Sequence, residues 1–157
     1  MKNNLYKFVI IAVISLLGCN PKNELGFNEN ASINNFGELP ENPLLLNVIT
    51  TSFHPKDSLM RVLYGNKLAY NYAKINGDGN YPISAVLYSV TWQLQDDEQW
   101  FGANVPKNIK SIERIEFLEK GKYIYNNFDS NGIKYITSDN VQKRINHIRE
   151  MKMAVSP

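Results

Sequence analysis

The stretch "ISAVLYSVTWQL" (83–94) runs twelve residues without a proline, a glycine or a charge. Its valines and aromatic residues suit a pleated, packed surface, and it reads as the strongest strand in the chain. One side of that strand presents Val86, Tyr88, Val90 and Trp92. The alternation alone leaves open whether this side or the opposite register faces the core.

Upstream, "NGDGNYP" (76–82) breaks the chain. Before it, "NKLAYNYAKI" (66–75) places Leu68, Tyr72 and Ile75 at helical spacing, with Asn66 as N-cap. "LLLNVITTSF" (44–53) and "SLMRVLY" (58–64), joined by the turn "HPKD", read as two hairpinned strands.

Downstream, "DDEQWFGANVP" (96–106) reads as a loop holding a partly buried aromatic pair. "SIERIEFLEK" (111–120) alternates Ile112, Arg114, Glu116 and Leu118 against Glu113, Ile115 and Phe117. "KYIYNNF" (122–128) and "IKYIT" (133–137) flank "DSNG" as a hairpin. "SDNVQKRINHIREMKM" (138–153) reads as a helix capped by Ser138 or Asp139, with a stripe of Val141, Ile145, Ile148 and Met151 or Lys152. The expected fold is α+β: a mainly antiparallel β-sheet with one inserted helix and a C-terminal helix.

The N-terminus reads "MKNNLYKFVIIAVISLLGCN". Lys2 and Lys7 precede an apolar run from Phe8 to Leu17 that is shorter than the about 20 residues a spanning helix needs. It has the length of a signal-peptide core. Leu16-Leu17-Gly18-Cys19 resembles the bacterial lipobox, which implies cleavage before Cys19 and acylation of its thiol. The competing reading is an ordinary secretory signal, or a membrane helix with an incidental cysteine. Acyl chains contribute about 0.8 kcal/mol per buried CH₂, so Cys19 reads as a membrane anchor and not a catalyst. Asn20 in place of aspartate favours the outer membrane of the cell envelope. Residues 1–18 are thus expected to be a lipoprotein signal peptide, 19–42 a lipid-anchored tether, and 43–157 the folded domain. The tether is rich in Asn, Gly, Glu and Pro. Its apolar residues Phe27, Ile33 and Phe36 are too widely spaced for a helix face, although some can pack on the domain.

The chain carries 17 basic and 15 acidic residues, and the signal holds two of the lysines. A domain so nearly neutral implies no nucleic-acid partner. Cys19 is the only cysteine, which excludes disulfides, zinc-thiolate sites and C-x-x-C-H haem attachment. "NGDGN" lacks the ligand spacing of a calcium loop, and "DDE" (96–98) reads as a solvated loop.

Two segments, "MRVLYGNKLAYNYA" (60–73) and "YPISAVLYSVTWQLQDDEQWFGANVP" (81–106), together resemble the cytochrome P-460 family, in particular its lipoprotein-like members. The resemblance rests on Tyr64, Gly65, Asn66 and Ala69, then Tyr81, Pro82, Ala85, Thr91 and Trp92, then Trp100 and Pro106. "IEFLEKGKY" (115–123) adds to it, and the similarity covers roughly residues 44–125. It implies a mainly antiparallel β domain with flanking helices, usually a homodimer. In the family's haem proteins it also implies c-type haem, a lysine cross-link to it, and chemistry on hydroxylamine or nitric oxide. This chain departs where the haem motif belongs: "KRINH" (143–147) keeps only the final histidine. Ser84 stands where the family often has glycine.

The resemblance therefore implies a P-460-like domain without covalent haem, serving as a ligand-binding or accessory module of the envelope. The alternative is a redox or nitric-oxide-binding protein with non-covalent haem, whose candidate ligands are His147 and His54. Each histidine also reads as a surface residue. Arg61 on its strand is a candidate for a pocket, where it would bind an anion or a propionate. It reads equally as an exposed residue or as a partner of Glu113 or Glu116. Tyr64, Trp92 and Trp100 are candidate pocket-lining aromatics, with core packing as the competing role. Lys120 reads as a turn lysine. The same module can instead be an interaction or oligomerisation domain that keeps only the fold. No Ser-His-Asp, Cys-His or metal-ligand arrangement can be assembled from the spacing.

Overall fold

The strand read from 83–94 forms, shifted by three residues at its start, as β3 (Val86–Asp96). Residues 83–85 instead make a turn in which Ser84 takes φ +65°. The computed structural model describes residues 28–33, 36–119, 121–135 and 140–154. The signal segment, Cys19, Asn20, Phe27, Lys120, Ser138 and Asp139 lie outside them.

β3 stands third in a six-stranded sheet whose strands follow chain order and pair antiparallel throughout. The others are β1 (Asn47–His54), β2 (Leu59–Gly65), β4 (Asn104–Glu119), β5 (Lys122–Phe128) and the two-residue β6 (Lys134–Tyr135). Helix α1 (Lys67–Ile75) is inserted between β2 and β3, and α2 (Val141–Arg149) follows β6. This is the expected α+β order. β4 begins seven residues earlier than its alternation suggested, because 104–109 pairs with 92–96, with register shifts at Thr91/Trp92 and Gln93/Leu94. β-bulges at these positions admit Pro106 into the strand.

Both faces of the sheet are covered, so the open question of register on β3 has two answers. Val86, Tyr88, Val90 and Trp92 pack with Val62, Tyr64, Ile112 and Phe128 on one face. That face is closed by the chain before β1, where Ile33 and Leu39 are buried. The Trp92 indole N–H donates to the Ala31 carbonyl at 2.8 Å. Phe36 stays partly exposed. Gly37 and Gly132 lock this segment to the β5–β6 turn. Each has positive φ, and a Cβ on Gly132 would stand 2.3 Å from the Phe36 carbonyl oxygen.

The opposite face carries both helices. Asn66 caps α1 as expected, its Oδ1 accepting from the Ala69 amide at 3.0 Å. The buried face of α1 is not the expected Leu68, Tyr72 and Ile75. Leu68 and Ile75 are exposed, while Ala69 and Ala73 face the sheet. The reason is proximity: a Cβ on Gly65 would lie 2.9 Å from the Ala69 Cβ, so only small residues fit between helix and strand. In α2, Ile145 and Ile148 are buried and Val141 and Met151 pack beside them, as the stripe implied. Asn140 occupies the N-cap with φ +55° and makes no side-chain cap bond. At the β3–β4 tip, Trp100 and Phe101 are exposed rather than partly buried. A short turn held by Asp97 projects them away from the sheet.

Candidate functional site

The alternation of β2 sends Arg61 to the same face as Leu63, beneath α2. On β3 it sends Ser89 and Thr91 there, and on β4 Glu113 beside Ile115. These are polar positions on a face otherwise filled by aliphatic residues, and all four are buried. Buried polar groups are stable only when bonded or paired, and most of these are.

Arg61 is not exposed, nor is it paired with Glu113 or Glu116. It retains 7% of its surface. Its Nε donates to Thr91 Oγ1 at 3.3 Å, and its Nη1 contacts His147 Nε2 at 2.8 Å. Burial, then the Arg144 guanidinium, lowers its pKa, while Glu113 opposes the shift. A guanidinium only donates, so His147 accepts through Nε2 and is neutral with its proton on Nδ1. Desolvation, then Arg61, Arg144 and His54, hold the imidazole below its ordinary value of 6.5, with Glu113 opposing.

Glu113 retains 2% of its surface. It takes both Nε and Nη2 of Arg144 from α2 and accepts from the Tyr125 hydroxyl at 2.6 Å. Burial, then this carboxylate, pushes the Tyr125 phenol up. The Glu113 bond raises Arg144. A recess of about 300 Å³ opens beside Glu113, Tyr125, Asn127 and Arg144. The Ser89 hydroxyl is buried with no partner.

At the other end of α2 lies a larger recess of about 660 Å³. Tyr81, Phe117 and Tyr123 supply rings, Pro82 and Ile83 an apolar rim, and Arg149 a charge. Tyr81 and Phe117 lie with ring centroids 5.2 Å apart, and Tyr72 packs on the far side of Tyr81 at 5.1 Å. Burial raises the Tyr81 phenol to about 12, with Tyr72 and Asp78 adding to it. It stays a neutral ring with a polar tip. The Arg149 guanidinium sits 6.0 Å from the centre of the Phe117 ring.

Of the residues singled out in the sequence, β2 and α2 bring Arg61 and His147 into contact. Tyr64 and Trp92 lie buried on the opposite face, in the core. Trp100 is at an exposed tip. His54 ends β1, where its Nε2 is 3.4 Å from Ser52 Oγ. Glu113 and Arg149 escaped selection as site residues. The first had a signal, since it alternates with Ile115 and Phe117. The second had none, being one of several cations on a basic helix.

A haem held by histidine needs an imidazole nitrogen facing open space. His147 Nε2 is taken by a buried arginine, and neither histidine lines the aromatic recess. His147, so held, does not fit a haem ligand, and His54 at the end of β1 does not line the aromatic recess. Among the described residues no three metal-ligating side chains cluster. No helix among them is long and apolar enough to cross a membrane.

No protein-family model matches the chain, and no curated protein matches it significantly.

Proposed function

We propose that the chain is a lipid-anchored protein of the bacterial cell envelope. Its cytochrome P-460-like domain lacks covalent haem and works as a binding module for a small apolar ligand. The observation that carries this reading is the recess of about 660 Å³ walled by Tyr81, Phe117 and Tyr123. That volume and that apolar, aromatic lining suit a small-molecule site. The anchor rests on the sequence before Cys19, and the family likeness on the segments 60–73 and 81–106.

The test is a fluorescence titration of the mature chain, with Cys19→Ser so that it takes no lipid. The probe is the neutral dye N-phenyl-1-naphthylamine. Saturable binding at one site, weakened by Ile83→Trp at the exposed rim, supports the reading. Binding indifferent to that substitution, or saturation neither by this dye nor by its sulfonated analogue, overturns it.

A further inference from the structure

Arg149 is the last residue of α2, and the turn at 79–80 holds its guanidinium in place. Its Nε donates to the Gly79 carbonyl at 2.9 Å, and its Nη2 lies 3.5 Å from Asn80 Oδ1. Phe117 supports it from below. Both acceptors are neutral. Among the described residues no carboxylate lies within ion-pair distance of Arg149.

The nearby acids are engaged elsewhere. Glu119, which also lines the recess, pairs with Lys122 at 2.9 Å. Asp78 accepts from the Tyr72 hydroxyl and from both the amide and the side chain of Asn80. Those bonds, the Tyr72 one first, hold its carboxyl at about 2. Among the described residues the recess thus has a floor of rings, an aliphatic rim, a carboxylate paired with Lys122, and one held cation, Arg149, that no carboxylate pairs.

From this geometry we infer that the recess selects amphiphilic anions, with Arg149 as the residue that binds the head. Such a ligand has an apolar body and a single carboxylate, sulfonate or phosphate head. The inference rests on the proposed ligand-binding reading and deepens it. The apolar body lies against Tyr81, Phe117 and Tyr123. The head takes the Arg149 donors left open and completes a charge-assisted pair in a partly desolvated site. Arginine suits this role because its planar fork is already held, so little freedom is lost when the anion arrives.

The experiment compares two dyes with the same arene body on the mature Cys19→Ser chain. 8-Anilinonaphthalene-1-sulfonate carries the anionic head, and N-phenyl-1-naphthylamine lacks it. The sulfonate is expected to bind about tenfold tighter, the gain of one hydrogen bond to a charged group. Arg149→Gln abolishes that preference. If this variant fails to fold, Ile83→Glu replaces it. A negative charge at the exposed rim then weakens the sulfonate more than it weakens the neutral dye. Equal or better binding of the neutral dye by the unsubstituted protein overturns the anion inference and leaves the cavity reading intact. Saturation by neither dye overturns the cavity reading itself, and this inference with it.

Discussion

Arg61 on β2 and His147 on α2 lie 86 residues apart in the chain and 2.8 Å apart in space. A buried guanidinium that donates to an imidazole forces that imidazole to stay neutral. The contact therefore ties the docking of the C-terminal helix to the protonation state of one side chain.

Its pH dependence has a definite sign. The folded pKa of His147 is lowered from 6.5, first by desolvation and then by Arg61 and Arg144. The unfolded chain therefore binds the proton more readily than the folded one. The contribution is fully present above pH 6.5 and is lost as pH falls through the lower folded value. Thermal unfolding followed from pH 8 to pH 5 shows a falling midpoint below 6.5. In His147→Gln, whose side-chain carbonyl can still accept from Arg61, that part of the fall disappears. An unchanged pH profile in the variant contradicts the assignment.

Glu113 anchors the other side of α2 through Arg144 and Tyr125. Replacing it with alanine leaves Arg144 beside Arg61 without an acid between them. Breaking a buried pair costs about 3–5 kcal/mol, and the low end applies here because the Arg144 side chain keeps 38% of its surface. Urea denaturation of Glu113→Ala measures the loss. A change below about 0.5 kcal/mol, the scale of an ordinary surface substitution, contradicts the role.

The two tryptophans separate core from surface. Trp92 is 5% exposed and its indole holds the segment before β1. Trp92→Ala costs about 3–5 kcal/mol. Trp100 is 70% exposed, and Trp100→Ala stays within about 0.5 kcal/mol. Denaturation midpoints of the two variants check the contrast.

Ser84 takes φ +65° immediately before the buried Ala85. A left-handed conformation costs an L residue about 1–2 kcal/mol, which glycine avoids. Ser84→Gly is therefore stabilising, by about 1 kcal/mol after the greater freedom of the unfolded glycine is counted. A lower melting temperature for this variant contradicts the assignment of strain.

The sheet was legible because its strands carry alternation or long β-branched runs bounded by turn residues, "HPKD" and "DSNG" among them. The α1 cap was legible from Asn66, since capping is local chemistry. The buried face of α1 was not. Leu68 and Ile75 are the more apolar residues, yet the approach of the helix to Gly65 decides for Ala69 and Ala73. That approach is a tertiary fact with no local signal. Arg61 and His147 could each be named as candidates, but their contact spans β2 and α2 and follows only from the fold. The aromatic recess gathers Tyr81, Phe117, Tyr123 and Arg149 from a loop, two strands and a helix end. No spacing rule joins them.

The most direct test of the central claim, that the aromatic recess is the ligand site, is an amide NMR titration. The mature Cys19→Ser chain is titrated with 8-anilinonaphthalene-1-sulfonate. The account predicts saturable shifts confined to Tyr81, Ile83, Phe117, Tyr123, Arg149 and their neighbours. Shifts centred on Arg61, Glu113 and His147 instead, or spread without saturation over the surface, would contradict it.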